Sequence, residues 1–264
     1  MTSEYRPLTV LSPDSAHSTA RTIAVEAPVA VEINGLGYAV MMMTPAALPE
    51  FATGFMLTER LADTPGDILD IDAFEAERGW MIRVTLAEGC AGRIHDRVRH
   101  RSSETACGLC GIAGLEQVVR PVPARPPLPA VGRAPLFAAL DAIRAHQPLN
   151  AATGAVHAAA LCDAKGAIAA AFEDVGRHNA LDKLIGAIAR QQRSIADGFL
   201  LVTSRISFEM ADKALIARAP LLVGISAPTT LAIDHARAHG LTLVALARAD
   251  AMLIANDPGN CFAA

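Results

Sequence analysis

The chain of 264 residues has few charged side chains, little net charge and no long uninterrupted apolar run. Only 19% of its residues are charged and the formal net charge is −4, which excludes a global field for binding nucleic acid. Proline and polar residues keep the uncharged stretches shorter than the roughly 20 apolar residues of a membrane-spanning helix. The first residues lack the pattern of a secretory signal. We therefore expect a folded cytoplasmic protein that binds neither nucleic acid nor a membrane.

Cysteine is also scarce, and only two of the five cysteines are close together. Cys107 and Cys110 form a Cys-x-x-Cys pair, whereas Cys90, Cys162 and Cys261 are isolated. In a reducing compartment an odd number of cysteines argues against a disulfide framework. A structural zinc site usually takes four Cys or His ligands, and no second such pair is present. We predict no metal site, and interpret the isolated cysteines as small buried hydrophobic residues.

The Cys-x-x-Cys pair is compatible with disulfide exchange, metal binding or the carriage of sulfur as a persulfide. Four arginines and two histidines precede it between residues 93 and 101, and cations of this kind lower the pKa of a thiol. The basic run taken alone is typical of an exposed, solvated strand. Gly108 and Gly111 leave the sulfurs open to approach. The surroundings differ from the strand and helix that flank a thioredoxin-like motif.

The N-terminal half predicts a small mixed α+β domain. An alternating apolar pattern on either side of Asn34-Gly35 predicts a hairpin. Thr44-Pro45 predicts the start of a helix of about four turns, and residues 80–86 predict a further strand. Five prolines between residues 120 and 132 predict a linker. The resulting division is a loose arm at 1–20, a mixed α+β domain at 21–100, the Cys-x-x-Cys loop and linker at 101–132, and a second domain at 133–264.

The second domain alternates predicted strands and helices. We predict helices beginning at Pro135 and at residues 177–191, 207–218 and 229–239, and strands at 156–162, 167–172, 199–202, 221–225 and 241–247. This order predicts a three-layer α/β domain with largely parallel strands.

Polar residues are concentrated in the turns where these strands run into helices, at 173–179, 203–209 and 226–230. We expect the three turns to converge on one edge of the sheet. Helix N-termini attract anions, and Arg177 and Arg205 add positive charge, so the turns predict a phosphate or nucleotide site. Ordinary helix capping explains each turn taken alone.

Five segments follow one another along the chain: CGLCG at 107–111, TGAVHAA at 153–159, EDVGRHNALDK at 173–183, RISFE at 205–209 and APT at 227–229. In this order and spacing they resemble the formate dehydrogenase accessory sulfurtransferases, the FdhD/NarQ family. The resemblance extends over nearly the whole chain from about residue 20. The third segment is the most specific, because so long a match rarely arises by chance.

The resemblance implies a function and a set of partners. Members of the family take sulfur from a cysteine desulfurase as a cysteine persulfide. They pass it to the molybdenum of bis-molybdopterin guanine dinucleotide, which then activates formate dehydrogenase. The motif match assigns the persulfide to Cys107 and an assisting role to Cys110. It also implies a homodimer with no tightly bound prosthetic group.

The same resemblance implies which residues contact the molybdenum cofactor. They are His157, Gly176, Arg177, His178, Asn179, Arg205, Ser207, Leu246, Ala247, Arg248, Ala249, Asp250 and Ala251. The last six lack the phenylalanine and later tyrosine that are usual in the family, and Thr203-Ser204 stands where Ser-Gly is usual. The departures in the last six residues fall in the segment that the resemblance assigns to cofactor contact. His157 taken alone is typical of a core histidine.

The resemblance further implies that the second domain is cytidine-deaminase-like. Zinc deaminases carry His-x-Glu at one helix start and Pro-Cys-x-x-Cys at the next. This chain has Arg177-His178-Asn179 and residues 205–208 at those two places, so the zinc ligands are absent and deaminase chemistry is disfavoured.

Two other functions stay open. A protein that only chaperones the cofactor would not need Cys107. A thiol-disulfide reductase would cycle a disulfide between Cys107 and Cys110 without any molybdenum.

Overall fold

The computed structural model describes residues 1–98, 122 and 126–262. The strands of this part of the chain are β1 (Ser3–Ser12), β2 (Ser15–Ala24), β3 (Ala27–Ile33), β4 (Leu36–Met43), β5 (Ile68–Ala76), β6 (Gly79–Leu86), β7 (His157–Asp163), β8 (Ile168–Asp174), β9 (Gly198–Val202), β10 (Leu221–Gly224), β11 (Thr242–Ala245) and β12 (Leu253–Asn256). The helices are α1 (Leu48–Thr58), α2 (Ala91–Val98), α3 (Arg133–Ala142), α4 (Pro148–Thr153), α5 (Arg177–Arg190), α6 (Phe208–Ile216) and α7 (Thr230–His239).

The beginning of the chain is an antiparallel hairpin, so the loose arm predicted for residues 1–20 is wrong. β1 and β2 pair along their full length, from Ser3 opposite Ala24 to Ser12 opposite Ser15. Most of their side chains are exposed. Because neither face is buried, the sequence lacks the alternating apolar pattern that identifies a half-buried strand.

A four-stranded sheet in the order β4-β3-β6-β5 carries α1 on one face. The predicted hairpin is confirmed, with Asn34 and Gly35 at φ values of 48° and 79°. β5 was not predicted. The predicted helix start at Thr44-Pro45 is wrong, because the left-handed conformation of Ala47 separates these residues from α1, which begins at Leu48.

The secondary structure of the basic run at residues 93–101 also differs from the prediction. Residues 91–98 form the helix α2 where an exposed strand was expected. The remaining basic residues, 99–101, lie outside the described part of the chain.

The C-terminal sheet has six strands in the order β12-β11-β10-β9-β7-β8. β9, β10 and β11 are parallel, whereas the other three pairings are antiparallel, so the prediction of largely parallel strands is wrong. The three layers are confirmed. Leu200 and Val202 pack in the core beneath α5, α6 and α7, and Phe199 and Leu201 pack with α3 on the opposite face. In the described ranges, no helix is long and apolar enough to span a membrane.

The two halves meet where α1 crosses α5. A Cβ atom added to Gly186 would lie 1.8 Å from the Glu50 carbonyl oxygen, and one added to Gly54 would lie 1.9 Å from the Asp182 carbonyl oxygen. Glycine at both positions therefore allows the helix backbones to touch. Most of the predicted loop-and-linker segment 101–132 lies outside the described residues, so the predicted domain boundaries stay predictions.

Buried charges accompany this contact. Lys183 Nζ lies 2.5 Å from Asp174 Oδ2, and Lys213 Nζ lies 2.9 Å from Asp182 Oδ2. Each pair also binds a threonine of the N-terminal half, Thr44 in the first case and Thr58 in the second. The interface between the halves is thus both tightly packed and hydrogen-bonded.

Candidate functional site

The polar turns lie along one edge of the C-terminal sheet, which we call the carboxyl edge, formed by residues 173–179, 203–209, 226–230 and 246–251. Backbone hydrogen bonds join the last three turns. Ile206 N–H donates to Ala227 O (3.1 Å), Thr229 N–H to Ile206 O (3.0 Å) and Leu246 N–H to Ser226 O (3.2 Å). The structure thus brings the predicted turns together, in the order of strands β8, β7, β9, β10 and β11.

The starts of α5 and α6 leave buried polar atoms unpaired. Gly176 is the N-cap of α5 and has no side chain with which to cap it. Ser207 is the N-cap of α6, yet its hydroxyl makes no capping hydrogen bond. Ser207 Oγ and Arg177 Nε are buried without a hydrogen-bond partner among the described residues. Since buried polar atoms are nearly always paired, both atoms are suited to bind a ligand or water.

The start of α7 is different. The Thr229 side chain accepts a hydrogen bond from the Ala232 N–H at 3.2 Å, which is ordinary N-capping. The three turns look alike in sequence. Of these turns, those at the starts of α5 and α6 carry the buried polar atoms that lack a partner among the described residues. The candidate anion site is therefore centred on these two helices.

A histidine and a glutamate connect the same two helices. His178 Nε2 lies 2.8 Å from Glu209 Oε2, but the two groups are not aligned as a hydrogen bond. Glu209 Oε1 also has no partner among the described residues. Glu209 was not among the predicted site residues. Its place in the first turn of α6, two residues after Ser207, was the signal that could have identified it.

His157 is the first residue of β7 and lies opposite Asp174 of β8. Burial lowers the pKa of its imidazole, and the positive charges of Arg177 and Arg205 lower that pKa further. The same electrostatics favour an anion at this edge. Arg205 itself is exposed, and its side chain is accessible from solvent.

Residues 246–251 follow β11. Leu246 has a left-handed backbone at φ 48°, and the Arg248 N–H donates to the Ala251 carbonyl at 2.9 Å. The Arg248 guanidinium donates to the carbonyl oxygens of Ile225 and Ala247, which fixes it against the preceding turn. Strands β8 and β11 of the same sheet are four strand spacings apart, or about 19 Å. One phosphate cannot contact both ends of the predicted site, but an extended ligand can.

Cys107 and Cys110 lie outside the described residues. Burial raises the pKa of Cys90, Cys261 and Cys162, in the last case to about 12. These three thiols therefore resist conversion to the reactive thiolate. Cys90 and Cys162 are buried as predicted, whereas Cys261 is half-buried. Within the described ranges, no group of three or more His, Cys, Asp or Glu side chains is arranged to hold a metal ion.

Comparisons with known proteins agree on one family. The sequence profile of the FdhD/NarQ family matches residues 24–261. Sulfur carrier protein FdhD of Xanthomonas campestris is 46% identical over 226 residues, which cover 86% of this chain and 80% of that protein. Sulfur carrier protein FdhD of Variovorax paradoxus is 42% identical over 236 residues, covering 89% and 85% of the two chains.

The fold has a counterpart among solved structures. A protein from Desulfotalea psychrophila, described as a formate dehydrogenase accessory protein, superimposes with a TM-score of 0.76 over 98% of this chain and 99% of its own, at 24% sequence identity. It supports the mixed α and β architecture. The family match extends from β2 almost to the end of the described chain and includes every turn of the carboxyl edge. The chain belongs to the FdhD/NarQ family.

Proposed function

We propose that the protein is a sulfur carrier in formate dehydrogenase maturation. The observation that carries this proposal is the 42–46% identity to relatives named sulfur carrier protein FdhD, over more than four-fifths of the chain. Cys107, within the CGLCG segment, is the proposed site of sulfur attachment. Burial raises the pKa of each of the three described cysteines, which disfavours those thiols as nucleophiles and supports this choice.

Sulfur loading is a thiol exchange in our proposal. The Cys107 thiolate attacks the outer sulfur of a cysteine desulfurase persulfide. A new bond forms from Cys107 Sγ to that sulfur, the S–S bond of the desulfurase breaks, and the desulfurase cysteine leaves as a thiolate. The outer sulfur keeps its proton. No net oxidation or reduction takes place.

Sulfur release needs two electrons, which we assign to the cysteine pair. The Cys110 thiolate attacks Cys107 Sγ, so that a disulfide forms and hydrosulfide leaves with its proton. The two cysteine sulfurs are oxidised and the departing sulfur is reduced. Hydrosulfide then takes the place of an oxo ligand on the acceptor's molybdenum. The oxo ligand accepts the proton and leaves as hydroxide. A cellular dithiol reductant restores the cysteine pair for the next cycle.

The acceptor in this proposal is the molybdenum of bis-molybdopterin guanine dinucleotide, a substrate bound along the carboxyl edge. Two observations support this assignment. Arg177 Nε and Ser207 Oγ are buried at adjacent helix starts, where phosphate groups are stabilised, and have no partner in the described part of the chain. The edge extends about 19 Å from β8 to β11, which suits an elongated dinucleotide. Residues 246–251 are proposed to contact its far end. A cytoplasmic location and a homodimer belong to the same proposal.

Mass spectrometry tests the sulfur carrier. The protein is incubated with a cysteine desulfurase and cysteine, and its intact mass is measured before and after reduction. We expect one added sulfur on Cys107 that reductant removes, and none in Cys107→Ala. Cys261→Ala is the matched control, since Cys261 is the half-buried thiol of the described chain and its loss should leave loading unchanged.

Two outcomes would contradict the proposal. One is the absence of the added sulfur when the desulfurase is shown to be active. The other is a Cys107→Ala variant that still activates formate dehydrogenase, which would indicate a cofactor chaperone instead.

A further inference from the structure

Thr44 of the N-terminal half lies against the turn that carries Arg177 and His178. Its side chain is buried, and its N–H, hydroxyl and carbonyl each make a hydrogen bond to this turn or to the helix that follows. The carbonyl also accepts from the Ala46 N–H of its own segment. The Thr44 N–H donates to Asp174 Oδ2 at 3.1 Å, and its hydroxyl accepts from the Val175 N–H at 3.2 Å. Its carbonyl accepts from Lys183 Nζ at 2.8 Å. Thr44 therefore connects the N-terminal sheet directly to the start of α5.

Asp174 holds the turn from the other side. Its carboxylate is fully buried and accepts four hydrogen bonds. Oδ1 accepts from the Gly176 N–H at 2.7 Å and from Asn179 Nδ2 at 3.2 Å, while Oδ2 accepts from Thr44 and Lys183. Asn179 Nδ2 also lies 3.1 Å from the Met42 carbonyl. Both flanks of the Arg177-His178 segment are thus bonded to residues 42–44.

Thr58 provides a comparison within the same interface. It is as deeply buried as Thr44 and also bridges the halves, donating to Asp182 Oδ1 at 2.8 Å and accepting from Lys213 Nζ at 2.8 Å. Its partners lie within α5 and α6, beyond the turns of the carboxyl edge. Both threonines join the halves, but only Thr44 bonds to the turn that presents Arg177 and His178.

We infer that Thr44 is a positioning residue for the acceptor site, through which the N-terminal half sets the backbone of residues 175–178. The inference rests on the proposed function, because it concerns binding of a nucleotide-bearing acceptor by Arg177 and its neighbours. In this role Thr44 acts on the acceptor through the turn. Its hydroxyl is the one acceptor that the described residues offer to the Val175 N–H, so its removal forces that N–H towards water and shifts the turn.

The test compares wild type with Thr44→Val, Thr44→Ser and Thr58→Val. Three of the four hydrogen bonds of Thr44 use its backbone, so they persist in every variant. Guanosine diphosphate is the probe for the nucleotide end of the acceptor, and calorimetry measures its Kd. Unfolding in urea measures stability. Amide hydrogen exchange of residues 175–178 is followed without ligand.

We expect Thr44→Val to raise the Kd by about tenfold, since an unsatisfied N–H must be accommodated at the turn. Thr44→Ser, which keeps the hydroxyl, should stay within about twofold of wild type. Thr58→Val should lose as much stability as Thr44→Val and yet bind normally. Exchange of the Val175 amide should accelerate in Thr44→Val only.

Each contrary result has a separate meaning. Equal Kd changes in Thr44→Val and Thr58→Val would show that Thr44 affects binding only through the stability of the interface. That result would overturn the inference. Normal binding by wild type and Thr44→Val would overturn it as well and leave the proposed function intact. A wild-type protein that does not bind guanosine diphosphate would overturn the proposed nucleotide site, and the positioning role with it.

Discussion

Two polar regions of the molecule, the interface between the halves and the carboxyl edge, are close together but differ in how their hydrogen bonds are satisfied. At the interface, Asp174 pairs with Lys183 and Asp182 with Lys213, and each carboxylate has further donors. Of six buried side-chain atoms without a partner in the described chain, four belong to residues at the starts of α5 and α6. Arg60 Nε, one of the other two atoms, belongs to the interface, where the paired charges hold the fold. The four atoms at the helix starts are available for a ligand.

The largest effect that this comparison predicts is the loss of one interface charge. Lys213→Met leaves the buried Asp182 carboxylate without its cation, and we expect a loss of about 3–5 kcal/mol in the free energy of unfolding. Urea denaturation measures it. The double variant with Asp182→Asn should recover part of the loss, because no buried charge is then left uncompensated. A single-variant loss below about 1 kcal/mol would show that the pair is not structural.

A smaller effect is expected from two helix caps of the same edge. Thr229→Ala removes a formed capping bond and should cost about 1 kcal/mol of stability. Ser207→Ala removes a hydroxyl that has no bond to any described residue, so its stability should change by less than about 0.5 kcal/mol while its Kd for guanosine diphosphate rises. Thermal unfolding and calorimetry on both variants measure these changes. A reversed order of the two stability losses would contradict the distinction between capped and unpaired turns.

Local patterns identified most of the C-terminal sheet. β9, for example, is a short apolar run that is buried on both faces, and its position was confirmed. The hairpin of β1 and β2 was missed for the opposite reason, since its exposed faces impose no pattern. Thr44 has the residue type of a helix cap, but its partner Asp174 is 130 positions away, and no local rule relates the two.

In the candidate site, too, some features could be predicted from local sequence and others depend on packing. Residue types and spacing indicated the polar turns, because helix starts favour such residues whether they cap or bind. Which hydroxyl is bonded and which is free depends on the packing of neighbouring helices. Ser207 and Thr229 look equivalent in sequence and differ in the structure. Cys107 and Cys110 lie outside the described residues, so their roles stay predictions.

The smallest predicted effect concerns His157, which borders both regions. Burial, followed by the charges of Arg177 and Arg205, lowers its pKa from the usual 6.5. Below about pH 6.5 the unfolded chain therefore binds a proton more readily than the folded protein does. The stability due to neutral His157 is complete above that pH and is lost as the pH falls towards the folded pKa.

His157→Gln removes this titration and isolates its contribution. The difference in unfolding free energy between wild type and variant should be constant from about pH 8 to pH 7. As the pH decreases below about 6.5, the wild type should become progressively less stable relative to the variant. Urea denaturation at a series of pH values measures the difference. Parallel pH profiles would mean that neither burial nor the charges of Arg177 and Arg205 lower the pKa of His157 in the folded protein. His157 would then not report the positive charge of the carboxyl edge.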